Sequence, residues 1–267
     1  LEKKGHLSTV RLGKLIPARY RRRIKAALGM PLTRLHSDWS VLSQIGPVET
    51  PHLVLDVGAH HGWFFHCWLD WCPTATVHAF DPTHESLEVA RRLYGDDPRV
   101  NLHEVGVGST EGELRLKLCS ESDVSNSFFA PDPKVWREIA YNTGSIEERS
   151  VPVITLDGFA RERSLGPVYL LKIDVQGFEL EVLKGASELL KRTDHVFVES
   201  GIQRLYEGAP SFAELVTHMG EQGFHLMHMR AWHRGNQVLV ETDMIFRRNG
   251  LEPAIRTDVD RFYVELK

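Results

Sequence analysis

Three stretches of this chain are apolar on both faces: "HLVLDVG" from His52, "VYLLKIDVQG" from Val168 and "HVFVES" from His195. A strand that meets water on one side alternates apolar with polar residues, and these do not. They need cover above and below, which is the condition of a largely parallel sheet with helices on both faces. The intervening sequence supplies the helices. "GWFFHCWLDWC", "HESLEVARRLYG", "FELEVLKGASELLKR" and "SFAELVTHMGEQG" read as helices, the third as one long amphipathic unit. "ATVHAFDP" and "RVNLHEVGVG" read as further strands, "GELRLKLCS" as a half-exposed strand, and "RSVPVITLDGFARER" as a short strand and helix with Asp157 as its cap. "HLMHMRAW" and "TDMIFRR" are close enough in sequence to form an antiparallel hairpin around Arg234 to Asn236. The fold class expected is therefore α/β, a mainly parallel doubly wound sheet ending in an antiparallel hairpin.

The chain has 267 residues, enough for one large domain with an appendage. We divide it into a basic helical N-terminal appendage (1–50), a ligand-binding domain (51–250) and a C-terminal extension packed on it (251–267). In the first 35 residues ten Lys and Arg side chains face only Glu2 in opposite charge, interleaved with Leu12, Ile16, Tyr20, Ile24 and Leu28. The plain reading is a helix with a solvated basic face; the sharper one is peripheral contact with an anionic membrane surface. Net charge is −4, which gives the whole molecule no electrostatic case for nucleic acid. Three cysteines do not make a disulfide scaffold, no run of about 18 apolar residues offers a membrane span, and no signal peptide is apparent, so a cytoplasmic protein is expected.

A doubly wound sheet binds its ligand beyond the carboxyl ends of its strands. Those ends fall just after Asp56, Asp81, Val107, Asp174 and Glu199. The first is followed by D-x-G-x-x-x-G, formed by Asp56, Gly58 and Gly62 at a strand-to-helix turn, where glycine permits a tight bend and close backbone approach. A pyrophosphate-binding turn would carry glycine where His60 stands. An acid before the first glycine suits a ligand with an ammonium instead, as in S-adenosylmethionine. Asp81, 25 residues on, is placed to accept ribose hydroxyls. His60 is expected near the cofactor. The pair His60 and His61 is not expected to converge on a metal from a helix start, and His66, Cys67 and Cys72 lack ligand spacing.

In "YLLKIDVQG", Leu170, Lys172 and Asp174 share one face, and a buried lysine there needs a carboxylate from Asp174, Asp56 or Glu199. Asp243 reads as a structural or cleft-rim acid. Residues 120–150 form a long polar stretch with Phe128, Phe129, Trp136 and Tyr141 embedded, suited either to closing over the cleft or to anchoring the loop.

The block "TLDGFARERSLGPVYLLKIDVQGFELEVLKGASELL" resembles the signature of the FkbM-type methyltransferases. "LVLDVGAHHGWF", "VHAFDP", "VGVGSTEGELRLKL", "LYEGAPSFAELVTHMGEQGF" and "DMIFRR" are similar to that family's other blocks, in the same order, from about His52 to Arg248. The resemblance implies a Rossmann-like class I methyltransferase that uses S-adenosylmethionine, usually on a hydroxyl of a sugar in a glycan or glycolipid or of a secondary metabolite. Matched by position, Asp56, Gly58 and Gly62 fall on its first cofactor motif, Asp81 on the ribose acid, and Lys172, Asp174 and Gly177 on its K-I-D-x-x-G block. Asp81 stands where the family commonly has Glu, and Gln176 where it often has Glu.

The expected cofactor residues are Asp56, Gly58, His60, Gly62, Asp81, Val107 and Asp174; the expected catalytic residues are Asp174, Glu199 and Lys172. Methyl transfer is an in-line displacement that needs alignment and a base for the hydroxyl proton. Asp174 or Glu199 would take that proton with Lys172 tuning the pair. The variant is a divalent metal held by these carboxylates. His103, His195 and His225 are other titratable groups, but their positions give them no special claim as bases. Rival readings are a nicotinamide-dependent oxidoreductase on a similar sheet and a non-catalytic cofactor-binding adaptor.

Overall fold

The computed structural model describes residues 42, 44–139, 144–234 and 238–251. The basic helix expected in 1–35, Tyr141, the turn at 235–237 and the segment 252–267 lie outside the described residues. Ten strands follow in chain order: β1 (His52–Val57), β2 (Ala75–Asp81), β3 (Val100–Glu104), β4 (Gly106–Val107), β5 (Gly112–Cys119), β6 (Ile146–Ile154), β7 (Val168–Ile173), β8 (Thr193–Gly201), β9 (Phe224–Arg234) and β10 (Val238–Arg248). The helices are α1 (Trp63–Trp71), α2 (His84–Tyr94), α3 (Pro133–Glu138), α4 (Leu156–Glu162), α5 (Glu179–Lys184), α6 (Ser187–Leu190) and α7 (Phe212–Glu221).

Seven strands form the main sheet in the order β3-β2-β1-β7-β8-β10-β9. The first five run parallel, and β10 pairs antiparallel with both β8 and β9. The doubly wound sheet with its terminal hairpin is as expected. Period two along the strands divides the core. Val54, Leu170, Phe197 and Ile245 pack with Phe64, Phe65 and Trp68 of α1. Their neighbours Leu55, Leu171, Val196, Val198 and Phe246 pack on the opposite face with α4 to α7. Residues 42 and 44–48, assigned above to the appendage, lie against the first of these layers: Leu42 and Ile45 are buried in it, and the Val48 N–H reaches Cys72 Sγ.

Three features differ from the expectation. "RVNLHEVGVG" breaks after Glu104, and its second half, β4, joins a separate sheet of order β4-β6-β5. The expected single helix "FELEVLKGASELLKR" is two. A Cβ at Gly185 would lie 2.0 Å from the Gly108 carbonyl oxygen, so the chain at that point is pressed against a neighbouring loop. Asp157 does not cap α4; Thr155 does, and the Asp157 carboxylate accepts from Ser187 Oγ and the Glu188 and Leu189 N–H groups at the start of α6.

Candidate active site

The parity that sorts the core also gathers the acids. Asp56 lies opposite Lys172 in the β1–β7 register, and Asp243 lies opposite Glu199 in the β8–β10 register. Asp174 is one residue beyond the last β7–β8 pair, Ile173–Val198. All five side chains therefore leave the sheet on the α1 face, near the carboxyl ends of β1, β7 and β8.

Lys172 is 2% exposed and Asp56 is fully buried. The Lys172 ammonium lies 3.1 Å from Asp56 Oδ1 and 3.6 Å from Asp174 Oδ2, and it donates to the Gly58 carbonyl at 2.6 Å. No hydrogen-bond donor with good geometry among the described residues reaches either Asp56 oxygen. Burial works to lower the lysine's pKa, but Asp56 and Asp174 outweigh it and hold the ammonium above its ordinary value. The buried lysine thus has the carboxylate partners that its position demanded.

A cavity of about 340 Å³ opens at these strand ends, within the size class of small-molecule sites. Gly58, His60, Asp81, Val107, Asp174 and Glu199 line it, with Lys172 at its floor. Asp56 and Gly62 do not. For Asp56 this corrects the expected contact with a cofactor ammonium: the strand faces it into the core, and Lys172 takes the charge. Gly62 is a turn residue, with φ +81 and a Cβ position 2.3 Å from the Phe65 ring. Gly58 has the closer constraint. At φ +75 its missing Cβ lets the Asp174 carbonyl approach, to 1.8 Å of where that carbon would be.

Asp81 is held rigidly at the cavity wall. One oxygen accepts from the His60 N–H at 2.9 Å; the other accepts from Thr83 N–H and Oγ1. The oxygen facing the His60 N–H, Oδ2, keeps a second lone pair, so a ribose hydroxyl still finds an acceptor there.

Glu199 is a strongly perturbed acid of the cluster. Burial raises its pKa well above the ordinary value, and Asp174, Glu241 and Asp243 raise it further. Asp243 is pushed up to about 7 by burial, against a hydrogen bond from Trp232 Nε1 at 2.8 Å. Sequence reasoning gave Gln176 and Tyr206 no role, yet they organise this pair. The Gln176 amide donates to Asp174 Oδ1 at 3.2 Å and Glu199 Oε2 at 2.7 Å, and its carbonyl accepts from the Tyr206 hydroxyl at 2.8 Å. Gln176 adopts φ +57, a strained conformation for a non-glycine residue. Its position in K-I-D-x-x-G was the available signal. The amide sits between the two carboxylates to which the variant reading gave a divalent metal, and among the described residues these acids do not form a group with metal-ligand spacing.

The candidate histidine bases are elsewhere. His103 stacks on His78 and Phe80, His195 is buried against Tyr169, and burial lowers both to about 4. His225 pairs with Asn249. In the 120–150 stretch, Phe128 and Phe129 pack on Phe178, and the buried Trp136 donates to the Leu205 carbonyl. These rings anchor the loop, while Phe128 and Trp136 also face the cavity.

A glycine turn, an acid on the next strand and carboxylates beyond the strand ends are what a doubly wound sheet uses where it binds a nucleotide. Residues 56–226 match the Methyltransferase FkbM domain, and the chain belongs to that family of methyltransferases. It is similar to the 2-O-methyltransferase NoeI of Sinorhizobium fredii (strain NBRC 101917 / NGR234), at 28% identity over 177 residues, 63% of this chain and 69% of the relative. It is also similar to Methyltransferase 1 of Beauveria bassiana (strain ARSEF 2860), at 26% identity over 191 residues, 67% of this chain and 75% of that one. A solved FkbM methyltransferase from Methylobacillus flagellatus KT aligns at TM-score 0.49 and 14% identity, over 76% of this chain and 45% of that one. Magnesium protoporphyrin IX methyltransferase from Synechocystis PCC 6803, solved with S-adenosylmethionine bound, aligns at TM-score 0.42 and 11% identity, over 92% of this chain and 86% of that one. The oxidoreductase reading gives way to the family match. No helix among the described residues is long and apolar enough to cross a membrane.

Proposed function

We propose that this methyltransferase holds S-adenosylmethionine in the cavity between the glycine turn and Asp81, and that Asp174 takes the proton of an acceptor hydroxyl as the methyl is transferred. The enzyme is an S-adenosylmethionine-dependent O-methyltransferase. The residues present fit the cofactor. Gly58 lets the turn pack directly against the Asp174 carbonyl at the cavity wall, and Asp81 Oδ2 offers an open lone pair there. Val107 adds an apolar wall.

When bound, the cofactor supplies a methyl carbon whose leaving group departs as neutral sulfur. No acid is then needed at the leaving group, and the chain's tasks are alignment and removal of the hydroxyl proton. Asp174 reaches the cavity with 23% of its side chain exposed. Burial and the neighbouring Asp174 raise the Glu199 pKa well above its ordinary value, which disfavours charge on both neighbouring carboxyl groups at once. Lys172 is a positioning residue: it ties Asp174 to Asp56 and to the Gly58 carbonyl.

The observation that carries this reading is the grouping of Gly58, Asp81, Asp174 and Glu199 around one cavity. The acceptor class is a hydroxyl on a sugar of a glycan or glycolipid, or on a secondary metabolite; the relative named as a 2-O-methyltransferase supports oxygen as the methylated atom. The test is incubation with methyl-labelled S-adenosylmethionine and a panel of glycans, lipid-linked sugars and polyhydroxylated metabolites, with mass spectrometry to place the label. Label on a hydroxyl oxygen is expected. Label found only on nitrogen or carbon would overturn the assignment.

A further inference from the structure

His60 and His61 were not expected to converge on one ion, because successive residues at a helix start point apart. The structure removes that premise. His60 adopts φ +48, so the chain is left-handed there rather than helical. The two rings lie over each other, with centroids 3.7 Å apart and planes tilted by 31°. Both face Asp123, which arrives from a turn of 3-10 helix at Asp123–Ser125, 63 residues away in sequence. His60 Nε2 is 3.0 Å from Asp123 Oδ2 and His61 Nε2 is 3.7 Å from the same oxygen. One ligand atom from each residue lies within 4.8 Å of the others.

Two ligands bound at about 2.0–2.2 Å to one tetrahedral ion are about 3.3–3.6 Å apart, so these separations need only small side-chain adjustments. Two imidazoles with one carboxylate favour first-row transition ions of the zinc and cobalt type over magnesium or calcium, which take oxygen ligands. Three protein ligands leave a further position open. His60 and Asp123 line the cavity, while His61 does not.

We propose that His60, His61 and Asp123 form a site for a divalent transition-metal ion that clamps the 123–125 turn onto the glycine turn at the mouth of the cavity. The site is separate from the Asp174–Glu199 pair, and its occupancy does not depend on the methyl-transfer reading. The ion fixes the two segments between which a ligand enters.

The test uses the full chain, freed of metal by chelation and titrated with Co²⁺ while visible d–d absorption is recorded. One equivalent of Co²⁺ is expected to bind and to be displaced by one equivalent of Zn²⁺. His61→Ala and Asp123→Asn should each weaken Co²⁺ binding by at least about tenfold, since a lost ligand costs no less than a lost supporting group. Both side chains are partly solvent-exposed, at 28% and 62%, so the fold survives their replacement, and melting curves verify this. His225→Ala, on β9 and paired with Asn249, should bind Co²⁺ as the wild type does. Absence of the absorption bands in the wild-type protein, or unchanged affinity in both His61→Ala and Asp123→Asn, would overturn the proposal.

Discussion

Among the described residues Lys172 is the one cation that touches Asp56, a fully buried carboxylate that no hydrogen-bond donor with good geometry reaches, and Lys172→Met removes it. Two unit charges 4 Å apart interact by about 4 kcal/mol at an effective dielectric of about 20, and this pair is closer, at 3.1 Å. Desolvation of both groups opposes that gain while the pair is intact. When one partner is lost the penalty on the other remains, and breaking a buried pair typically costs about 3–5 kcal/mol. Part of the cost is relieved if Asp56 takes up a proton, which burial already favours. We expect Lys172→Met to lower the unfolding free energy by about 3 kcal/mol or more, a large share of the ~5–15 kcal/mol of a typical domain. The assay is urea unfolding at neutral pH, read as a shift in midpoint at unchanged slope. The double variant Lys172→Met/Asp56→Leu should recover most of the loss, because no fully buried charge is then left without a partner; Asp174, which also loses Lys172, is partly exposed and still accepts from Gln176. A single-variant loss below about 1 kcal/mol, or a double variant no better than the single, would refute the claim that Lys172 neutralises Asp56.

Gly58→Ala should destabilise the chain by at least about 2 kcal/mol, since it combines a left-handed φ with a Cβ pressed on the Asp174 carbonyl. It should also abolish the thermal stabilisation given by S-adenosylhomocysteine; a retained shift would show that the turn does not touch the cofactor. His195 is expected to shape the acid limb of stability. Its folded pKa of about 4 lies below the ordinary value of 6.5, so the unfolded chain binds the proton first. The stability present above pH 6.5 is therefore lost as pH falls toward 4, and His195→Phe should flatten that limb in melting curves; an unchanged limb counts against the assignment. Glu199→Gln should lower the transfer rate less than Asp174→Asn does, because burial and its acidic neighbours raise the Glu199 pKa and so disfavour its charged form. Equal losses in steady-state assays would mean that the two acids act as one unit.

The fold was legible wherever local pattern dominates. Both-face apolar strands, acids at their ends and the terminal hairpin all appear in the sheet. What escaped was set by contacts between distant segments. Gly185 divides a strongly amphipathic stretch because it meets the Gly108 loop. β4 leaves the main sheet to pair with β6, 47 positions further on by register. At the site, alternation placed Lys172 and Asp174 on one face, and the needed carboxylate partner proved to be Asp56 together with Asp174. The same alternation could not reveal that Asp56 faces the core rather than the cavity. Nor could spacing reveal Asp123 beside His60, or the Gln176 amide between Asp174 and Glu199, since both depend on left-handed turns that tertiary packing enforces.

The account rests most directly on Asp174 as the proton acceptor beside a cofactor cavity. Single-turnover methyl transfer and calorimetric binding of S-adenosylhomocysteine, measured on one preparation of Asp174→Asn and of wild type, separate chemistry from binding. The expected result is a rate lower by about 10²–10⁴-fold with cofactor affinity held within about tenfold. An unchanged rate, or a rate loss matched by an equal loss of cofactor affinity, would contradict it.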